Sequence, residues 1–315
     1  MTVVELRALK LRIKPNFKPV NWRLITEAIF GNLMLVLTLL SSLLVVVIGL
    51  LLFQKCLPIL ETHSWAELLF SSSWFPLKGD FGFSPFILGT TWVTAIAAII
   101  AVPTSLLTAI FLTEYSKKKM RTLMNPLLDL LAGIPSIVYG MWGVLIVVPS
   151  IKAFAATVFK ISISGYSVLA AGIVLAVMIF PAIISVTLQV LTGVPVELRH
   201  ASLALGATQW QTIKKVVLRK ALPGVIAASI LGVTRAFGET MAVLMVAGNV
   251  ARAPHSVFDP AYPLPALIAN NYGEMLSIPL YDSALLLGAL ILFLVVLFFN
   301  GLARLVLIRI EKRGF

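Results

Sequence analysis

Charge is scarce in this sequence, and acid is scarcer than base. The 315 residues include 13 Asp and Glu against 25 Lys and Arg, so that 12% of the chain is charged. An ordinary soluble domain carries about 25% charged residues. With 59% hydrophobic residues and a mean hydropathy of +1.01, the chain has too little polar surface to be solvated by water alone, and a soluble enzyme is excluded. The single cysteine, Cys56, excludes an intramolecular disulfide. Three scattered histidines, His63, His200 and His255, show no metal-ligand spacing, so no metal site is expected. No G-x-x-x-x-G-K-[ST] string occurs, and no nucleophile–base or paired-carboxylate arrangement stands out. Neither ATP hydrolysis nor a catalytic residue is therefore expected in this chain.

What is present is a series of long apolar runs. A helix needs roughly 20 mostly apolar residues to cross the hydrocarbon core. Charge-poor stretches of that kind predict six spans: about 30–53, 86–111, 127–148, 168–191, 222–250 and 283–302. An outer-membrane barrel would instead alternate in polarity over segments of about 10 residues. The expected fold class is an all-α membrane protein with six transmembrane helices. Residues 1–29 read as an N-terminal arm with a short amphipathic helix over Val3–Ile13, residues 30–306 as the membrane domain, and 307–315 as a tail. The first span exceeds the 7–15 residues of a signal peptide's apolar region and lacks a cleavage site, so it reads as a retained anchor.

The cations fall on alternate loops. The two terminal segments and the loops after the second and fourth spans hold 19 Lys and Arg, and the three opposite loops hold five. By the positive-inside rule, this places both termini in the cytoplasm. The basic balance is thus a topology signal, and nucleic-acid binding is not expected, since no basic groove is interleaved with aromatics.

Three regions carry more than bulk hydrophobicity. The outer stretch Glu61–Phe86 gathers Trp65, Phe70, Trp74, Phe75, Phe81 and Phe83 around Gly79-Asp80-Phe81-Gly82. It reads either as an aromatic belt at the lipid interface or as a docking surface. The fifth span carries Arg235 and Glu239, spaced i,i+4 and hence on one face of a continuous helix. They are either a self-neutralising clamp or the lining of a translocation path, where the arginine's planar fork suits an oxyanion. In the third span Gly133, Pro135 and Ser136 break the helix; broken backbone inside a membrane is tolerated beside protein or a water cavity, so this is either a kink or part of the path. Asp129, near the end of that span, reads as an interfacial or packing residue.

The loop after the fourth span, residues 193–221, reads as two short helices around a glycine corner. Glu197–Leu205 contains good helix formers, Gly206 suits a helix C-terminus, and Thr208 can cap the next helix. Trp210, Ile213, Val216 and Val217 fall on one face at helical spacing. Such a hairpin is a handle for a soluble partner or a bare membrane-surface element.

This loop resembles the EAA loop of ABC importer permeases of type I, in which Glu-Ala-Ala is followed by three residues and Gly, then by nine residues and Ile-x-Leu-Pro. His200, Ala201, Ser202, Leu203, Ala204, Leu205, Gly206 and Ala207 occupy the motif's core; His200 replaces the usual Glu, Ser202 the second Ala, and Arg219 the Pro. Leu222-Pro223 then reads as a substitute helix start. Gly133-Ile134-Pro135-Ser136-Ile137-Val138-Tyr139-Gly140, Thr234 through Val243, and Pro85 through Thr90 together resemble the C-type permease subunit of phosphate-specific importers. The resemblance implies a bacterial inner-membrane subunit translocating phosphate, with the coupling loop seated on an ATPase. It also implies a second permease subunit (PstA-like), an ATPase dimer (PstB-like) carrying ATP and magnesium, and an external phosphate-binding protein (PstS-like). A permease for sulfate or molybdate would have the same loop. A non-transporting scaffold would explain the spans but not the loop, and an intramembrane enzyme lacks an evident nucleophile.

Overall fold

The computed structural model describes residues 21–273 and 278–312. The amphipathic helix expected at Val3–Ile13, most of the arm and the last residues of the tail lie outside them. Six helical segments among the described residues are long and apolar enough to cross a membrane: Ile29–Thr62, Ser84–Tyr115, Ser136–Phe159, Val168–Thr192, Gln209–Phe237 and Tyr281–Leu305. The chain divides into two compact units, Met1–Leu51 and Leu52–Phe315. Helix α1, Asn21–Thr62, begins in the first. There it is uncharged from Ile29 onward and exposes large apolar side chains, with the hydroxyls of Thr38, Ser41 and Ser42 bonded back to helix carbonyls.

The second unit is built around α6, Val168–Thr192, most of whose side chains are buried. It packs against α3 (Ser84–Tyr115), α5 (Ser136–Phe159), α8 (Gln209–Phe237) and α4 (Lys118–Gly133). Small residues permit the close approach. A Cβ at Gly172 would meet Ile96 of α3 at 2.5 Å, and one at Gly232 would meet Ile183 of α6 at 2.4 Å. Between lipid-facing helices the hydrophobic effect gives no drive to associate, so close van der Waals packing of this kind supplies much of it. Three apolar clusters are arrayed along the bundle. The central one includes Val93, Val147, Val174, Ile179 and Val243. One at the N-terminal end of α3 includes Phe83, Phe86, Leu264 and Tyr281. The third, at the opposite end, includes Ile110, Leu112, Leu188, Leu191, Ile213 and Val217.

Several span boundaries differ from the sequence reading: the first span runs on to Thr62, the third to Phe159, and the fifth starts at Gln209. The third span begins at Ser136 rather than Leu127, because Ile134, which the following proline biases toward extended backbone, takes ψ 129° and leaves Lys118–Gly133 as a separate element. The fifth ends at Phe237 rather than Val250. After Gly238-Glu239-Thr240 follows a six-residue helix, α9 (Met241–Val246), packed on α5 and α6. Pro223, expected as a helix start, lies inside α8, which is continuous from Gln209.

Candidate functional site: the loop hairpin and the broken spans

The loop after α6 folds as two short arms. The first is α7, Val196–Ala204; the second is the opening of α8. Between them Gly206 adopts φ +82°, a region that L-residues enter at a cost of about 1–2 kcal/mol. Its N–H donates to the Leu203 carbonyl at 2.9 Å, and Ala207 N–H to Ser202 at 3.3 Å, so the last carbonyls of α7 are satisfied by the turn. Thr208 and Gln211 form a reciprocal capping box at the start of α8. The Ser202 and Thr212 hydroxyls, 2.9 Å apart, tie the arms together.

The hairpin has a buried side and a bare side. Ile213 and Val217 are wholly buried against Leu188, Leu191 and Ile110. His200, Ala201, Leu203, Ala204 and Gly206 are exposed, Ser202 and Ala207 partly so, and Leu205 is 89% exposed. Trp210, placed by its spacing on the face of Ile213, Val216 and Val217, is instead half exposed. The wide π turn over Ile213–Val217 breaks the 3.6-residue period on which that expectation rests.

One residue of α3 is gripped by both arms. Arg199 of α7 meets the Glu114 carboxylate with Nη2 at 2.8 Å and Nε at 3.2 Å from Oε1. The same guanidinium donates to the carbonyls of Leu191 at 2.9 Å and Val194 at 2.6 Å, at the end of α6 and just beyond. Gln209 of α8 donates through Nε2 to the Glu114 main-chain carbonyl at 2.9 Å. Glu114 lies in another π turn, Phe111–Tyr115, at the end of α3, where helix carbonyls lack intrahelical partners. In the sequence alone, Arg199 counts only as a loop charge and Glu114 only as a span limit.

The expected membrane-depth site is rearranged. Arg235 stands in the last turn of α8, where the helix dipole favours a cation. Glu239 lies beyond the helix end, because the chain leaves the helix at Gly238. The two do not share a helix face, and among the described residues they are not joined by an ion pair. Glu239 instead accepts from the Ala242 N–H at 3.4 Å and caps α9. The i,i+4 geometry on which the clamp reading rests is absent.

The break at Gly133, Pro135 and Ser136 is braced by Tyr139, whose hydroxyl donates to the Leu131 carbonyl at 2.7 Å. In the sequence Tyr139 stands out only as part of a motif. Past it, Gly140 and Gly143 let α5 lie directly on α9 and α6: a Cβ at Gly140 would be 2.6 Å from Met245 Sδ, and one at Gly143 would be 2.7 Å from both Val174 and Val246. Asp129 is exposed and lines a cleft of about 130 Å³ with Asn125, Ser185, Leu188 and Gln189.

Residues 101–312 match the family model described as binding-protein-dependent transport system inner membrane component. The chain belongs to that family. Among curated relatives of this permease, phosphate transport system permease protein PstC of Mesorhizobium japonicum is 35% identical over 311 residues, covering 92% of both chains. PstC of Xylella fastidiosa strain Temecula1 is 38% identical over 261 residues, covering 78% of this chain and 80% of that one. Probable ABC transporter permease protein YqgH of Bacillus subtilis is 44% identical over 210 residues, 66% of each chain. A solved bacterial alginate ABC transporter, in complex with its pentasaccharide-bound periplasmic protein, superposes with TM-score 0.61 over 91% of this chain and 98% of that chain at 15% identity. The MetNI methionine transporter does so with TM-score 0.52 over 72% of this chain and 96% of that chain at 20% identity. These likenesses show the type I importer permease fold.

In this permease the aromatic stretch before α3 is an ordered hairpin. Strands β1 (Trp74–Phe75) and β2 (Asp80–Phe81) pair antiparallel across Gly79 at φ +83°. Trp74 packs edge-on to Phe81, Phe83 and Phe86, and His63 Nε2 lies 2.9 Å from the Gly79 carbonyl. Phe70, Phe75 and Leu77 remain exposed. Half of the aromatic set therefore forms a core, and the other half stays available to lipid or a partner.

Proposed function

We propose that this permease is the phosphate-translocating subunit of an importer whose ATP hydrolysis, with its magnesium, resides on a partner ATPase dimer. The observation that carries the coupling is the exposed rim of the loop hairpin, where Leu203, Leu205 and Trp210 project from a corner held rigid by Gly206 and the capping box. An apolar knob on a braced hairpin suits insertion into a groove of a soluble partner. The charge balance of the loops supports a cytoplasmic position for this hairpin and for both termini. Phosphate is the cargo in the printed names of the PstC relatives.

Arg235 is the residue assigned to the anion. Its guanidinium can give two charge-assisted hydrogen bonds to adjacent phosphate oxygens, and a single cation holds the ion weakly enough to release it. Gly133, Pro135 and Ser136 line the same route through the break braced by Tyr139, while Glu239 shapes it by capping α9. One subunit of six spans encloses no path alone, so a second permease chain completes it, and an external phosphate-binding protein delivers the ion. The test is radiolabelled phosphate uptake by proteoliposomes holding the reconstituted complex. Uptake that needs ATP and is not competed by sulfate or molybdate is expected. Uptake of sulfate or molybdate in preference to phosphate would overturn the assignment.

A further inference from the structure

The grip of both hairpin arms on Glu114 serves no obvious need of the hairpin itself. Its corner, capping box and Ser202–Thr212 contact already hold it together. Nor does α3 require it, since its end is buried through Ala109, Ile110 and Leu112. The contact joins three elements at one point. Arg199 spends its fork on a carboxylate of α3 and on carbonyls at the end of α6, while Gln209 takes the Glu114 main-chain carbonyl from the other arm. The side chains of Glu114 and Arg199 are 10% and 16% exposed, so solvent screens them little.

We infer that Glu114 and Arg199 form a strut through which displacement of the loop hairpin is passed to α3 and α6, making both of them positioning residues for coupling. The inference rests on the proposal that the hairpin docks an ATPase. A push on the hairpin rim reaches the Glu114 carboxylate through α7 and its main chain through α8, so the end of α3 must follow the hairpin in translation and in rotation. The π turn around Glu114 gives that end a place to yield, as wide turns at functional sites do. Lysine cannot replace Arg199, because a point charge does not reproduce a fork that holds a carboxylate and two carbonyls at once.

The test uses the complete importer in proteoliposomes and compares phosphate transported per ATP hydrolysed. Glu114→Gln and Arg199→Lys are expected to lower that ratio at least tenfold, and Gln209→Ala two- to fivefold. A merely structural contact would lower transport and hydrolysis together with the amount of assembled complex, leaving the ratio within twofold of the parent, and that result would overturn the strut. Gln209→Ala keeps both charges and answers the question if the other variants fail to accumulate. Leu205→Asp, on the exposed rim, separates the two ideas. If it no longer retains the ATPase while the ratio in the strut variants is unchanged, the strut alone fails. If Leu205→Asp retains the ATPase undiminished, the docking proposal fails and the strut with it.

Discussion

The Tyr139 hydroxyl donates to the Leu131 carbonyl at 2.7 Å, reaching back over the break at Ile134-Pro135. It supplies a donor to a helix end that the break has cut off from its own ladder. Tyr139→Phe removes that donor and nothing else. The Leu131 carbonyl keeps the Ile134 N–H at 3.3 Å, so a loss of about 0.5–1.5 kcal/mol, the net worth of one hydrogen bond, is expected, read as a thermal midpoint a degree or two lower for the detergent-solubilised complex. An unchanged midpoint would show that water takes the hydroxyl's place.

Arg235 and Glu239 should act independently, since they do not form a pair. Arg235→Gln is expected to bring phosphate uptake to background, and Glu239→Gln, which keeps an oxygen for the Ala242 N–H, to lower it only several-fold. The double change should be as inactive as Arg235→Gln alone. Recovery of uptake in the double variant, measured in vesicles at matched expression, would mean that the charges neutralise each other after all.

Two glycines on either side of Tyr139 should respond in opposite ways. A methyl group at Gly133 meets nothing within 4 Å, whereas one at Gly143 collides with Val174 and Val246. Gly133→Ala should be close to neutral. Gly143→Ala should destabilise by about 1–3 kcal/mol, the usual cost of overpacking, because valine side chains have few rotamers into which to retreat. Thermal unfolding of the two variants side by side decides the matter.

At the hairpin corner the relevant contrast is between asparagine and valine. Gly206 has φ +82° and open space around it, so shape is not limiting but backbone conformation is. Gly206→Asn is expected to retain ATPase binding, and Gly206→Val to lose it, since a β-branched residue is a true outlier at positive φ. Co-purification of the ATPase with each variant is the measurement. Equal retention would remove the corner from the docking argument.

The six spans and the glycine corner are legible in the sequence because each is a local property: a run of apolar residues, or a residue type that permits one conformation. The ends of spans are less so. Leu127–Gly133 is nearly as apolar as Ser136–Val148, and only the extended backbone at Ile134-Pro135 separates the two; prolines elsewhere in the chain, such as Pro223, sit inside helices. Likewise 222–250 reads as one run, although Gly238 ends α8 within it, and this alone turns an apparent i,i+4 pair into a helix-end arginine and a capping glutamate. The Glu114–Arg199 contact is beyond reach for a different reason. Its members are 85 residues apart, and a charge in a loop carries no sign of whether it is solvated or held. The one hint is that Glu114 interrupts an otherwise acid-free stretch between Asp80 and Asp129.

The interruption at Gly238-Glu239-Thr240 also decides how the fifth crossing tolerates changes of length. An α-helix advances about 100° per residue, so one residue inserted between Leu218 and Arg235 would turn Arg235 about the helix axis by more than a quarter turn while the hairpin stayed seated. One residue inserted among the three that separate α8 from α9 would be taken up by irregular backbone, leaving Arg235 in phase with the hairpin and α9 in phase with Gly140 and Gly143. Gln209–Val246 thus consists of two rods with independent phase, one indexed to the loop and the other to the third span.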